Sequence, residues 1–437
     1  MTNIAIAEDF KSSKKDEYLF FTGHLGTDVC FSKDRWVCDK LRRAPAEPDN
    51  VLTMRFNGIP EHFRDIVKYF FVISIIQGKA VSTVKSNIRD LIRFFNFWLS
   101  EMGTADLHMC DEIVVAKFCY HLDERELAES TKAGTWATVC TFFKTMRRWY
   151  GMQMKNPFSV SPYSSPRKFD DKYIPESVTI QLDRVFKNNE IPLYHRCAYW
   201  LLRLIPSRVS EIVGMRIDCL KRYNGNYVIF IPTWKQNGGW QEPIMRSIHL
   251  EETGIAGYLI DLVKQQQDMA HQLQKYMQAH QKDALFTYRK EGEYQGIHFY
   301  SEQYLVTTAV SIRIMIQNVC KKYNITDDGG QVFKVTTHQF RHNGITDRLA
   351  AGFTAAQIAE MTAHHGSAMI LNSYNHLDLL PETIIEKQEY VLQEPNNHEN
   401  RYVMFGGRIL NMEEQLEKRL LKNLRAHKVR QAVEKAL

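Results

Sequence analysis

The 437-residue sequence has no long hydrophobic run. Its most apolar stretch, Tyr69 to Ile76, is eight residues long and contains Ser74, whereas a membrane-spanning helix needs about 20 apolar residues. The first residues, Met1 to Glu17, have no apolar core and mix both signs of charge, unlike a secretory signal. The eight cysteines, at positions 30, 38, 110, 119, 140, 197, 219 and 320, form no Cys-x-x-Cys pair. Several sit inside helix-like apolar patterns. They read as reduced core residues of a cytosolic protein, not as disulfides or a structural zinc site. Internal repeats are lacking, and so are low-complexity tracts beyond the Gln-rich face of Gln265 to Gln281. Charge of one sign is scarce as well. The 56 Lys+Arg stand against 50 Asp+Glu, a net +6 that admits a nucleic-acid partner without requiring one. With 44% hydrophobic and 24% charged residues, the chain is neither disordered nor collagen-like nor a disulfide scaffold. Its length suits two or three domains of about 100–200 residues each.

Helical periodicity dominates from Glu61 onward. The clearest case is Ser82 to Met102, where Val84, Ile88, Leu91, Ile92, Phe95, Trp98 and Leu99 recur mostly at steps of three and four. Further helices are expected at about Asp111 to His121 and Ser130 to Tyr150. Ser159 to Pro175 holds three prolines and four serines with no apolar period, the best linker in the chain. Beyond it, helices are expected over Glu176 to Lys187, Leu193 to Leu204, Glu251 to Lys282, Glu302 to Tyr323, His338 to Ala351 and Ala355 to Thr362. A short one opens at Ser207-Arg208. Tyr227 to Pro232 and Glu242 to Ile248 read as a hairpin around Gln236 to Gly239. The expected domain plan is a 1–60 region of unknown role, a helical unit at 61–158, a linker at 159–175, a mixed unit at 176–400 and a basic amphipathic helix at 401–437. That last stretch has nine Lys/Arg and four Asp/Glu, and carries Ile409, Met412, Leu416, Leu420 and Leu424 as an apolar stripe.

The most informative segment is His338-Gln339-Phe340-Arg341-His342, followed by His364-His365 and Tyr374. Ordinary packing explains any one of these residues but not their crowding into 37 positions. A metal reading takes His338 and His342, four apart, with His364 or His365 as a third ligand. It lacks the Glu of His-Glu-x-x-His, and Arg341 would repel a cation. A phosphate reading uses Arg for non-bridging oxygens, His as a proton shuttle and Tyr as nucleophile. It needs a second arginine and a general acid. Arg208 and Lys235, the latter at the start of the hairpin turn, are the candidates. Lys85, Arg89 and Arg93 on one helix face, and Lys144, Arg147 and Arg148 at the end of another, suit contacts to a phosphate backbone or a solvated surface.

On these residues the sequence resembles the tyrosine recombinases, or phage-type integrases, over roughly Ala80 to Leu380. Pro206-Ser207-Arg208-Val209-Ser210-Glu211 is similar to the family's first arginine motif in its Arg and Glu, but differs in the residues before them. His338, Arg341 and His342 complete the His-x-x-Arg-His motif. His365 stands nine residues before Tyr374, as the family's His or Trp does. The position before it, commonly Gly, is His364 here, with no role assigned.

The resemblance implies a mainly α protein, with an all-α, SAM-like core-binding domain that clamps DNA and an α+β catalytic domain containing a small β-hairpin sheet. It implies that Tyr374 attacks a scissile phosphate to form a 3′-phosphotyrosyl link, and that Arg208, Arg341 and His365 hold the phosphate. His338 would take the tyrosine proton and Lys235 would protonate the leaving 5′-oxygen, with Glu211 and His342 as supports. No cofactor, ATP or metal is then needed. The implied partners are double-stranded DNA, a homotetramer on paired sites and DNA-bending accessory proteins, with no membrane. The implied location is the cytoplasm, at the nucleoid. The length suits an integrase of a mobile element better than a minimal chromosome-dimer resolvase. Other classes left open are a DNA-binding accessory protein with a degenerate site and a metal-dependent nuclease or hydrolase. A type IB topoisomerase is a neighbour in chemistry.

Overall fold

The computed structural model describes residues 22–149, 156–164, 172–223, 225–235, 243–250, 252, 254–294, 297–350, 353, 355–364, 370, 404–405 and 408–409. The chain divides into two compact units, and the main boundary falls within the Ser159–Pro175 stretch.

The first unit is built on four helices, α1 (Glu61–Ile76), α2 (Val81–Met102), α3 (Glu112–Asp123) and α4 (Glu129–Trp149). Gly103 closes α2 in the left-handed conformation at φ 61°, its N–H donating to Leu99 O. Asp111 caps α3 by accepting from Val114 N at 2.9 Å. The apolar faces meet in an aromatic core. Phe63 stacks on Phe95 with centroids 4.5 Å apart, and Phe94 meets Phe118 edge-on at 5.3 Å. Residues ahead of α1 join the same core. Strand β1 (Arg35–Val37) pairs antiparallel with β2 (Thr53–Arg55), and Trp36, Met54 and Phe56 are fully buried or nearly so. This part of the 1–60 region is therefore a wall of the helical unit, whereas Ala44–Glu47 groups with the second unit. Three-residue strands are too short to show an alternation in sequence.

The second unit contains α5 (Glu176–Val185), α6 (Leu193–Leu204) and the short α7 (Val209–Val213). A sheet follows, with β3 (Leu220–Tyr223), β4 (Asn226–Thr233) and β5 (Ile244–Leu250) paired antiparallel. Then come α8 (Gly254–Leu273), β6 (Thr287–Tyr294), β7 (Ile297–Val306), α9 (Ala309–Lys322), α10 (Thr337–Ala350) and α11 (Ala355–Thr362). Its core joins Trp200 and Leu201 of α6, Ile231 of β4, Ile248 and Leu250 of β5, Val263 of α8 and Phe340 of α10.

Three expected helices need correction. The Glu251–Lys282 helix is shorter, running from Gly254 to Leu273 before 3-10 turns. The Glu302–Tyr323 helix starts only after Thr308, whose hydroxyl caps Ser311 N at 3.1 Å. Tyr304, Leu305 and Val306 belong to β7, where aromatic and β-branched residues favour a strand. The 401–437 helix does not begin at 401. Strands β8 (Met404–Phe405) and β9 (Arg408–Ile409) form a hairpin there, and β9 runs parallel to β5, giving the order β3-β4-β5-β9-β8. Phe405 and Ile409 are of types that favour strands. The rest of that expected helix lies outside the described residues.

Candidate active site

The site gathers around one carboxylate. Glu211, on α7, has a side chain only 2% exposed. Its Oε2 accepts the backbone N–H of Arg208 at 2.9 Å, the return half of a capping box that fixes the start of the helix. Its Oε1 accepts Nη1 of Arg208 at 2.8 Å. Arg246 donates Nη2 to Oε2 at 2.9 Å, and Nη1 of Arg341 lies 3.7 Å from the same oxygen. Three guanidinium groups thus share one carboxylate, which leaves the cluster with surplus positive charge.

The arginines differ in exposure. The Arg208 side chain is 17% exposed, while that of Arg341 is 0% exposed. Arg341 projects from α10 and donates Nη1 to Pro206 O at 2.8 Å and Nη2 to Thr362 O at 3.2 Å. It thereby ties α10 both to the turn before Arg208 and to the end of α11. Arg246 projects inward from β5, opposite Ile231 of β4. It donates Nε to Thr233 Oγ1 at 2.9 Å, Nη2 to Ser207 Oγ at 2.8 Å and Nη1 to Met361 O at 2.8 Å. Burial pulls its pKa down to about 10; Glu211 works against that shift, and Arg341 and Arg208 add to it. The group stays cationic at neutral pH.

The histidines sit in this positive field. His338 opens α10 with its side chain exposed at the helix start, and its ring meets that of His342 at 80°, centroids 4.6 Å apart. Partial desolvation, then the charges of Arg341, Lys172, Arg208 and Lys235, push His338 down to about 4. His342 is buried. His364 is half-buried. Burial, then Arg341, Arg208, Arg246 and Lys235, push it down to about 3. Both rings are neutral at pH 7. Lys235 is exposed just past β4. Beside it, Trp234 packs so close to Gly214 that a Cβ there would lie 2.6 Å from the indole, so only glycine fits at the end of α7.

The structure therefore brings together Arg208, Glu211, Lys235, His338, Arg341 and His342. His365 and Tyr374 lie outside the described residues. Among the described residues no three His, Cys, Asp or Glu side chains are grouped to hold a metal ion, so the His338–His342 pair has no third ligand there. Two contributors were missed from sequence. Arg246 shares a phase with Ile248 and Leu250 on the alternating strand, and a charge on the apolar phase was the available signal. His364, a candidate third ligand in the metal reading, has no part in the phosphate reading of the sequence.

The expected DNA contacts divide in two. Lys85 is hydrogen-bonded to Asn50 O, and Arg89 donates to Ser86 Oγ at 3.1 Å. Arg93 is tied to Asp90 at 2.7 Å and to Thr135 at 3.2 Å. Lys144 and Arg147 are exposed on α4. The Arg148 side chain lies outside what the structure describes.

Comparison with known proteins points the same way. Residues 172–379 match the family model described as "Phage integrase family". The chain is similar to transposase B of transposon PsiTn554 from Staphylococcus aureus, at 21% identity over 390 residues, which is 84% of this chain and 56% of that protein. Transposase B of Tn554 from Staphylococcus aureus is similar at 19%, again over 84% of this chain and 56% of the relative. The chain thus spans about half the length of the curated relatives it matches. Among solved structures, the Tn1549 transposon integrase in complex with transposon right end DNA superposes with TM-score 0.51 at 16% identity, covering 75% of this chain and 99% of that one. The XerH site-specific recombinase bound to difH substrate gives 0.50 at 14%, covering 80% and 91%. These two likenesses are of fold.

Proposed function

We propose that the chain, whose residues 172–379 match the model of the phage integrase family, is a tyrosine recombinase that cuts and rejoins duplex DNA through a 3′-phosphotyrosyl intermediate. The observation that carries the reading is the excess of guanidinium over carboxylate. Arg208, Arg246 and Arg341 converge on the single Glu211, with Lys235 and two neutral histidines beside them. Such a cluster is built to receive an anion whose charge grows in the transition state.

In this reading Arg208, the more open guanidinium, grips a non-bridging phosphate oxygen. Arg341 has no exposed side-chain surface, so its contact with the second oxygen requires the groups above it to move as the duplex settles. Its charge acts on the phosphate in either position. Neutral His338 accepts the phenol proton of Tyr374, whose oxygen attacks phosphorus. The 5′-oxygen leaves with a proton from Lys235, and His365 adds a hydrogen bond to the phosphate. One phosphate ester replaces another, so the bond energy is kept and the chemistry needs neither ATP nor a metal ion. Glu211 holds the arginines in place and His342 supports His338. The relatives' description as transposases favours a mobile element as the substrate. A homotetramer on paired sites, helped by DNA-bending proteins in the cytoplasm, is the corresponding assembly. Among the described residues no helix is long and apolar enough to cross a membrane.

The test is a nicked suicide duplex carrying a candidate element end, mixed with the protein in EDTA and run on a denaturing gel. A covalent adduct formed by wild type and absent in Tyr374→Phe is expected. An adduct that survives in Tyr374→Phe would remove the nucleophile assignment. Specific binding without any adduct would favour an accessory DNA-binding role, and cleavage that EDTA abolishes would restore the metal-dependent nuclease.

A further inference from the structure

We propose that His364 is a positioning residue for Arg341, a neutral imidazole that holds the guanidinium by accepting its hydrogen bond; the proposal rests on the recombinase reading of this site. A guanidinium only donates. Nη2 of Arg341 lies 3.1 Å from Nε2 of His364, so Nε2 must offer a lone pair. The proton of the neutral ring then sits on Nδ1 and is donated to Thr362 Oγ1, 2.5 Å away. The threonine hydroxyl must in turn donate onward, and Ile358 O receives it at 2.6 Å. Each assignment forces the next, and the chain ends on the backbone of α11.

The backbone is shaped to bring the ring there. Ala363 adopts the left-handed conformation at φ 51°, rare for a residue with a Cβ. The N–H of His364 donates to Ala359 O at 2.8 Å, folding the chain back over the helix end. The carbonyls of that end accept from Arg246 and Arg341, at Met361 O and Thr362 O. Protonating His364 would turn Nε2 into a donor facing a donor, and the surrounding arginines oppose it. Position 364 precedes the residue matched to the family's phosphate-contacting histidine, and the glycine common there offers no side-chain acceptor. The device thus belongs to this chain's own residues.

The experiment has two arms on the full-length protein. In the first, nitrogen-15 histidine spectra are recorded from pH 8 to pH 5, with His364→Gln identifying the resonances. A protonated Nδ1 and a bare Nε2 across that range are expected, with the Nε2 signal displaced in Arg341→Met. An Nε2–H tautomer, or a cationic ring at neutral pH, would overturn the proposal. In the second arm, adduct formation on the nicked duplex is timed in a single turnover. His364→Gln, which keeps an acceptor oxygen, should stay close to wild type. His364→Leu should slow by about ten- to a hundredfold with duplex affinity unchanged, the weight of one hydrogen bond to a charged group. Equal slowing of both variants would defeat the acceptor role. A faster Leu variant would show that His364 is a cover to be displaced. If wild type forms no adduct, the recombinase reading fails, and the spectra alone still decide the state of His364.

Discussion

Arg246 and Glu211 form a buried ion pair, Nη2 to Oε2 at 2.9 Å, with side chains 5% and 2% exposed. The other carboxylate oxygen takes Nη1 of Arg208 at 2.8 Å. The strand residue therefore acts on Arg208 through Glu211 without touching it. Arg246 also binds Ser207, Thr233 and Met361, so its fork spans the turn before α7, the end of β4 and the end of α11. It is a bracket for the parts of the site that come from separate elements.

Removing that bracket should cost both stability and activity. Arg246→Met leaves the hydrogen-bonding groups of Ser207, Thr233 and Met361 without this donor, and should destabilise the second unit by about 3–5 kcal/mol, the usual penalty for breaking a buried pair. Arg246→Lys keeps the charge but loses the planar fork. It should retain more stability than Met while still slowing adduct formation, because an ammonium does not span the same four partners with one geometry. Denaturant unfolding and single-turnover cleavage separate the two effects. Full activity in Arg246→Lys would show that charge alone suffices.

Much of this site could be read from residue order, and the exceptions have physical causes. Arg208 with Glu211, and His338 with Arg341 and His342, lie three and four apart, and helical spacing brings such residues together without tertiary information. Arg246 lies far from both groups in sequence and reaches them only through the β4–β5 register. His364 and His365 are adjacent, so spacing to Tyr374 selected one and left its neighbour without a role. Among the fold elements, α2 was legible to within a residue because its apolar period is long and Gly103 ends it. Tyr300 to Val306 was not, since a short apolar-aromatic stretch satisfies helical and strand periods alike.

His338 and His364, with the partly buried His195 that is likewise pushed down, to about 4, contribute to the acid side of the stability curve. The folded values are about 4 for His338 and about 3 for His364, against an ordinary value near 6.5. Between those limits the unfolded chain binds protons that the folded protein refuses, so stability rises with pH there. Their contribution is complete above about pH 6.5 and is lost as pH falls toward 4 for His195 and His338 and toward 3 for His364. Melting temperature should decline over that interval, and His364→Gln should flatten the decline because Gln does not titrate. A slope unchanged in that variant would place the acid sensitivity elsewhere.

The basic residues of the first unit should fall into two classes. Lys144 and Arg147 are exposed on α4, and neutralising either should weaken duplex binding across sequences and lower the slope of log affinity against log salt by about 0.9. Arg93 is different. Its Nη1 joins Asp90 to Thr135, and Asp90 also accepts from Thr138 at 3.1 Å, so the network fastens α2 to α4. Arg93→Ala should reduce stability by about 1–3 kcal/mol, the cost of an unsatisfied buried polar group. Salt titrations of binding beside thermal melts distinguish the classes. A lowered salt slope with unchanged melting in Arg93→Ala would return that residue to the DNA-contacting group.

The tail offers a separable test of assembly. Family resemblance suggests that a C-terminal segment passes between protomers, and in the sequence Leu416, Leu420 and Leu424 recur at four-residue spacing there. The β9 pairing changes how this must be examined. His249 and Leu250 of β5 align with Arg408 and Ile409, so truncation after Asn400 removes two strands and leaves the β5 edge open. That truncation should lower melting temperature as well as synapsis. Truncation after Asn411 keeps both strands and removes the leucine stripe. It should leave melting and single-site binding close to wild type while impairing the joining of two sites, seen as loss of the slower band in a gel-shift assay. Equal loss of single-site and paired-site complexes in the shorter truncation would mean that the stripe serves its own protomer and does not pass to a neighbour.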